Sequence, residues 1–254
     1  SVLAAVMLGV DRLLRRGQEP ARFPNLLLLS ALGVWSHLLL DLMNVYGVRL
    51  LMPFSDRWSY GDTLFIVDPW VWLALAAGIV LARHAQRRGA AAPFDMARLA
   101  LAGVTAYIVA MGVLGAFGRR IVRQRLRQQG FEIARLMVAP VPINPLPRDV
   151  VFVLPDGYAT ARLSGLTLFW NGEEPRRRRS AEPFARRAAR TATGQAYPKW
   201  ARFPFFVPGG SDDCPPQHTC IRDMRYAPQA WAEVAVPDGA PLSSSALPGI
   251  RSSP

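Results

Sequence analysis

The chain has 254 residues, 51% of them hydrophobic, and a formal net charge of +12. That length allows one large or two modest domains. The apolar residues are too unevenly spread for a uniformly soluble chain, because the long apolar runs fall within residues 1–118 and the remainder reads as a basic soluble domain.

The predicted elements begin with Ser1 to Val10, an apolar stretch too short to span a bilayer and with no basic region before it. It is therefore read as the tail of a helix that starts upstream, not as a signal peptide. Three further apolar segments follow, Asn25 to Met43, about Thr63 to Leu81 and about Ala97 to Phe117. A crossing needs roughly 20 mostly apolar residues, so the expectation is a helical bundle of about four crossings with the first incomplete. Arg12, Arg15, Arg16 and Arg22 lie between the first two segments, and Arg83, Arg87 and Arg88 between the last two. By the positive-inside rule those loops are cytoplasmic and the loop from Asn44 to Asp62 faces out. The arginines that follow Gly118 oppose this topology, although long domains translocate largely regardless of charge.

Within the second segment Ser30, Gly33, His37, Asp41 and Asn44 recur at steps of three or four, which puts them on one helical stripe. Ionisable groups at membrane depth are costly and by default mark a working site. Two readings of His37 and Asp41 stay open: a pair reaching a single metal ion, or a hydrogen bond that holds two helices together. Asp62 and Asp68 follow in the next loop. Asp68 before Pro69 is the pattern of a helix start, with Asp as cap and Pro in the first turn. A helix from there to Leu81 spans only about 20 Å, so Thr63 to Val67 is expected as an irregular lead-in, buried in protein or lining a watery cavity.

After Gly118, Ile121, Val122 and Leu126 alternate with arginines, which predicts an amphipathic helix on the membrane surface. A second basic run, Arg176 to Arg190, reads as a solvated helix or an excursion; with no recognisable nucleic-acid motif in the chain, nucleic acid is not expected as a partner. Strands are predicted at Asp149–Leu154, Tyr158–Phe169, Lys199–Val207, Thr219–Tyr226 and Trp231–Val236. They make residues 119–236 a small α+β or mostly antiparallel extramembrane domain, and the Ser-, Pro- and Gly-rich residues 237–254 a disordered tail. Cys214 and Cys220 suit a disulfide in an oxidising compartment, with free thiols or a zinc site using His218 as alternatives. His84, among arginines at a helix end, and the Gly112, Gly115, Gly118 seam read as structural. There is no nucleophile elbow, phosphate loop or internal repeat.

Several motifs in order carry a resemblance: Ser36-His-Leu-Leu-Leu-Asp41, Asn44-x-Tyr-Gly-Val-Arg49, Pro53-Phe-Ser-Asp-Arg57 and Asp62-Thr-Leu-Phe-Ile-Val-Asp-Pro69, continuing at Pro142-x-Asn-Pro145, Trp200-x-Arg-Phe-Pro204 and Asp223-Met-Arg-Tyr226. The chain resembles the LexA-regulated, membrane-bound, predicted metal-dependent hydrolases of bacteria, the YdjM- and YfhP-like inner-membrane proteins. The family's upstream Thr-His, Pro-Asp-x-Asp and His-Arg-Gly-x-Thr-His-Ser motifs are absent, and Ser1 resembles the final Ser of the last of these. The resemblance implies a multi-pass inner-membrane protein, and the four-crossing topology together with the cysteines puts its C-terminal domain on the outer side. The resemblance also implies His37 and Asp41 as metal ligands with Asp62 and Asp68 as possible additions, and Asp62 or Asp68 as general base or as a partner that orients a ligand. The implied cofactor is a divalent ion, zinc or manganese suiting mixed His and Asp donors best, whose bound water attacks an ester or phosphoester. Membrane lipids are the expected partners and a lipid-linked compound the expected substrate. The alternative is a non-catalytic membrane protein whose His37–Asp41 pair is structural and whose basic tail binds anionic lipid or a partner.

Overall fold

The computed structural model describes residues 2–14, 22–155, 157–170, 176–177, 179–211, 214–226 and 233–242. The chain divides into two compact units, one of residues 1–116 with 139–146 and the other of residues 117–138 with 147–254.

The first unit is helical. It contains α1 (Val2–Leu14), α2 (Phe23–Met43), α3 (Pro69–Arg87) and the greater part of α4 (Asp95–Gln128), which continues into the second unit. Among the described residues two helices, α2 and α4, are long and apolar enough to cross a membrane. Four crossings are thus not reached on that measure, because α1 has only 13 residues and α3 closes on Arg83, His84 and Arg87. Leu28, Leu32 and Trp35 of α2, Trp72 and Val80 of α3, and Leu99, Val109 and Val113 of α4 are all exposed. An apolar surface of that extent belongs in lipid rather than water. Contacts inside the unit bury Leu26, Leu64, Val71, Val104 and Met111 together with small and polar residues: Ser30 is buried with its hydroxyl directed at the Met7 sulfur, 3.6 Å away. A Cβ added at Gly78 would collide with the Ala100 methyl, so that glycine lets α3 and α4 approach closely.

The second unit inverts this arrangement. Strands β1 (Leu136–Pro140, of which residues 136–138 belong to this unit), β2 (Arg148–Val153), β3 (Gly157–Ser164) and β4 (Thr167–Trp170) lie side by side in that order, with the two-residue β5 (Arg176–Arg177) also paired to β3. The second sheet is an antiparallel set of β6 (Pro204–Pro208), β7 (His218–Asp223) and β8 (Glu233–Pro237). Strand β2 runs antiparallel to β3 from the Arg148–Leu163 pair to the Val153–Tyr158 pair. The expected single strand over Tyr158–Phe169 is a hairpin, because Gly165, at φ 59°, turns the chain between β3 and β4.

The expected surface helix after Gly118 is the end of α4, and its apolar side does not face lipid. Val122 and Leu126 are fully buried with Leu136, Val138, Val150, Phe152, Ala161 and Leu163 in the core of the first sheet. The amphipathic pattern is real, but the sheet supplies the apolar surface that covers it. The second basic run contains the short helix α5 (Pro183–Ala188), which buries Ala185 and Ala188 against Phe206, Ile221 and Val236 of the second sheet. A further helix, α6 (Ala192–Trp200), is capped by the Thr191 hydroxyl accepting from the Gly194 amide, and occupies the start of the expected Lys199–Val207 strand. Most of the tail expected to be disordered, residues 243–254, lies outside the described residues.

Candidate functional site

α2 begins at Phe23 with Pro24 in its first turn and runs without interruption through the polar stripe to Met43. At its far end Asn44 is buried, and its side-chain oxygen accepts from the Tyr46 and Gly47 amides at 2.8 and 3.4 Å. A helix leaves its last carbonyls without intrahelical partners, and here the returning chain takes one: the Thr63 and Leu64 amides donate to the Met43 carbonyl at 2.7 and 3.0 Å. That return passes so close to α2 that a Cβ on Gly61 would stand 2.5 Å from the Leu42 carbonyl oxygen. Only glycine fits there.

His37 and Asp41 meet one turn apart on α2, Nε2 to Oδ2 at 3.3 Å. The pair is open: the His37 side chain is 79% exposed and that of Asp41 is 42% exposed. The neighbouring polar residues of the stripe, Ser30 and Asn44, are buried, so the opening is local to the middle of the stripe.

Asp62 is buried in the turn tied to the end of α2, at φ 49°, a left-handed conformation that Asp tolerates better than most residues. Asp68 is also buried and caps α3. Its Oδ1 accepts from the Trp70 and Val71 amides at 3.1 and 3.3 Å, and its Oδ2 accepts from the Tyr107 hydroxyl at 2.9 Å. Asp68 thus starts α3 and fastens it to α4. The motif residues farther along the chain also carry contacts, since the Trp70 indole donates to the Ile143 carbonyl at 2.8 Å.

Among the described residues, no three or more His, Cys, Asp and Glu gather where they could hold a metal ion. His37 and Asp41 come together, and Asp62 and Asp68 do not join them in such a group. Two donors fall short of the three protein ligands that a catalytic zinc ion takes. The described residues therefore do not by themselves make a metal site.

In the second unit the Trp200-x-Arg-Phe-Pro204 and Asp223-Met-Arg-Tyr226 motifs form one buried cluster. Arg225 and Asp223, both with fully buried side chains, pair at 2.7 Å. The Arg225 guanidinium lies 4.8 Å from the Trp200 ring centre and 5.0 Å from that of Tyr226, while the Arg202 amide donates to Asp223 at 2.6 Å. Burial, reinforced by the Asp223 charge, pushes the nearby Tyr197 phenol well above its ordinary range. Reading strands from this stretch did not reveal the cluster; the signal was the recurrence of Arg beside aromatic residues in both motifs. Cys214 and Cys220 are joined in a disulfide, which removes both from any zinc site with His218.

Residues 1–117 match the family model described as YdjM inner membrane protein. No curated protein and no solved structure matches the chain.

Proposed function

With residues 1–117 carrying the pattern of the YdjM inner-membrane family, we propose that the protein is a multi-pass inner-membrane hydrolase whose working centre includes His37 and Asp41. The observation that carries this reading is the exposure of the pair on an otherwise apolar span. Ionisable residues on a membrane span mark a working site by default, and this pair is open to a ligand. The ligand class is a divalent ion, zinc or manganese, with His37 and Asp41 as two of its donors. The substrate class is a lipid-linked ester or phosphoester. When bound, such an ion would supply Lewis-acid chemistry. Asp41, at 3.3 Å, orients the His37 ring, and Asp68 keeps α3 and α4 fastened beside the end of α2.

The proposed topology has four crossings, the loop after α2 outside and the second unit outside with it. Support comes from the arginines flanking α2 and α3 and from the Cys214–Cys220 disulfide, a bond typical of oxidising compartments. Maleimide labelling of spheroplasts before and after an impermeant reductant tests the orientation: labelling only after reduction supports it, and labelling only after lysis and reduction overturns it.

The test of function is metal content of the full chain purified from membranes, unmodified and as Asp41→Ala. About one equivalent of zinc or manganese, lost in the variant, supports the hydrolase reading. Absence of stoichiometric metal from both would leave a second reading, which the lack of a third donor among the described residues favours. In it the protein is non-catalytic, His37–Asp41 is a contact for another helix, and the basic unit binds anionic lipid or a partner.

A further inference from the structure

The loop between α2 and α3 carries an apolar tip that the hydrolase reading does not use. Leu50, Leu51, Met52 and Phe54 are all exposed, Phe54 at 94% and Leu51 at 61%. The base of the loop is closed by mutual Val48–Ser59 backbone bonds of 3.0 and 2.9 Å, and by the Arg49–Asp56 ion pair at 3.1 Å. Arg49 also lies over the Trp58 ring at 5.4 Å, and Trp58 stacks on Tyr60. The order from tip to base is therefore apolar, then charged, then aromatic.

We propose that Leu50–Phe54 is a membrane-inserting loop, seated among lipid headgroups and upper acyl chains on the side where α2 ends. Three observations select lipid as the occupant. First, the loop leaves directly from the end of a helix apolar and long enough to span, so its root lies at a membrane surface. Second, its backbone is partly satisfied within the loop, which suits the headgroup and upper acyl level: the Met52 amide donates to the Arg49 carbonyl, the Phe54 and Ser55 amides donate to the Leu51 carbonyl, and Pro53 has no amide hydrogen. Unsatisfied backbone groups are what exclude ordinary loops from hydrocarbon. Third, Arg49, Arg57, Trp58 and Tyr60 form the basic and aromatic rim that membrane interfaces favour. The proposal rests on the membrane placement of α2 and not on metal binding or hydrolysis.

The test uses the full chain in liposomes of mixed zwitterionic and anionic phospholipid, with a nitroxide attached to Phe54→Cys. Both native cysteines are in the disulfide, so the new thiol is the one that labels. Lys199→Cys, at an exposed position of the second unit, is the aqueous reference, and Leu51→Cys repeats the measurement should Phe54→Cys fold poorly. Inserted, the tip label should collide with oxygen severalfold more, relative to a water-soluble nickel chelate, than the label at Lys199→Cys does. Equal access of the nickel chelate at both positions would place the loop in water and overturn the proposal. So would a tip label shielded from both reagents, which would mean docking on protein, a second copy included. Failure of unmodified protein to float with liposomes would remove the membrane premise itself, a result distinct from a loop in water on a protein that floats.

Discussion

The two units use the same apolar residue types in opposite ways. In the first, most Leu, Val and Trp of α2, α3 and α4 point outward while Ser30, Asn44, Asp62 and Asp68 are buried beside a few apolar residues such as Leu26, Val71 and Met111. In the second, Phe152, Phe203, Ile221 and Val138 are buried between sheets and helices in the ordinary manner of a water-soluble fold. The difference shows that burial follows the solvent. In lipid an outward leucine costs nothing, and polar residues and glycine supply the contacts that specify which helices meet. In water the hydrophobic effect does that work.

Substitutions in each unit can break or sharpen this contrast. The largest effect is expected at Phe152, fully buried and packed on Phe131 and Trp170. Phe152→Ala should cost about 3–5 kcal/mol of the second unit's stability, read as earlier proteolysis or denaturation of that unit with the helices still inserted. Next, Leu32→Arg near the middle of α2, at a position exposed in the chain, should cost about 2.5–3.5 kcal/mol of insertion free energy. A glycosylation-based insertion assay reads it, and a neutral result would show that α2 does not face lipid there. Asp68→Ala removes the cap of α3 and the acceptor for Tyr107. A loss of about 0.5–2 kcal/mol is expected for the cap, with Asp68→Asn recovering part of it because an amide oxygen still accepts; thermal denaturation in detergent distinguishes the two variants.

The smallest effect is a pH dependence confined to the second unit. Tyr197 ionises less readily in the fold than in the unfolded chain because of burial first and the Asp223 charge second. Its folded pKa is raised, so the associated stability is fully present below the ordinary phenol value of 10.0 and is lost as pH climbs above it. Urea midpoints of the second unit between pH 8 and 11.5 should stay flat and then fall, and Tyr197→Phe should remove that part of the decline.

Local chemistry made much of the first unit legible. The apolar length of α2, the Asp68–Pro69 start of α3 and the irregular Thr63–Val67 lead-in were all visible because each depends on neighbouring residues alone. Strands β2, β7 and β8 were visible for the same reason, as runs of β-branched and aromatic residues between turns. α5 was obscured by its charge and α6 by its Pro198 and aromatic residues, since both helices are held by packing against strands distant in sequence. At the candidate site the pairing of His37 with Asp41 follows from helical spacing. The burial of Asp62 and Asp68 does not, because it depends on how the returning loop packs against α2 and how Tyr107 reaches Asp68.

Residue order alone therefore determined where α2 and α3 begin, which helix carries ionisable groups, and that the chain joins a membrane region to a basic soluble one. These are short-range matters of periodicity, capping and hydropathy. Which face of each element is covered was settled by packing. The arginine-rich end of α4 shows the reason: its apolar stripe is equally suited to lipid or to a sheet, and it is the proximity of Val150, Phe152 and Leu163, some thirty residues along the chain, that turns it to protein.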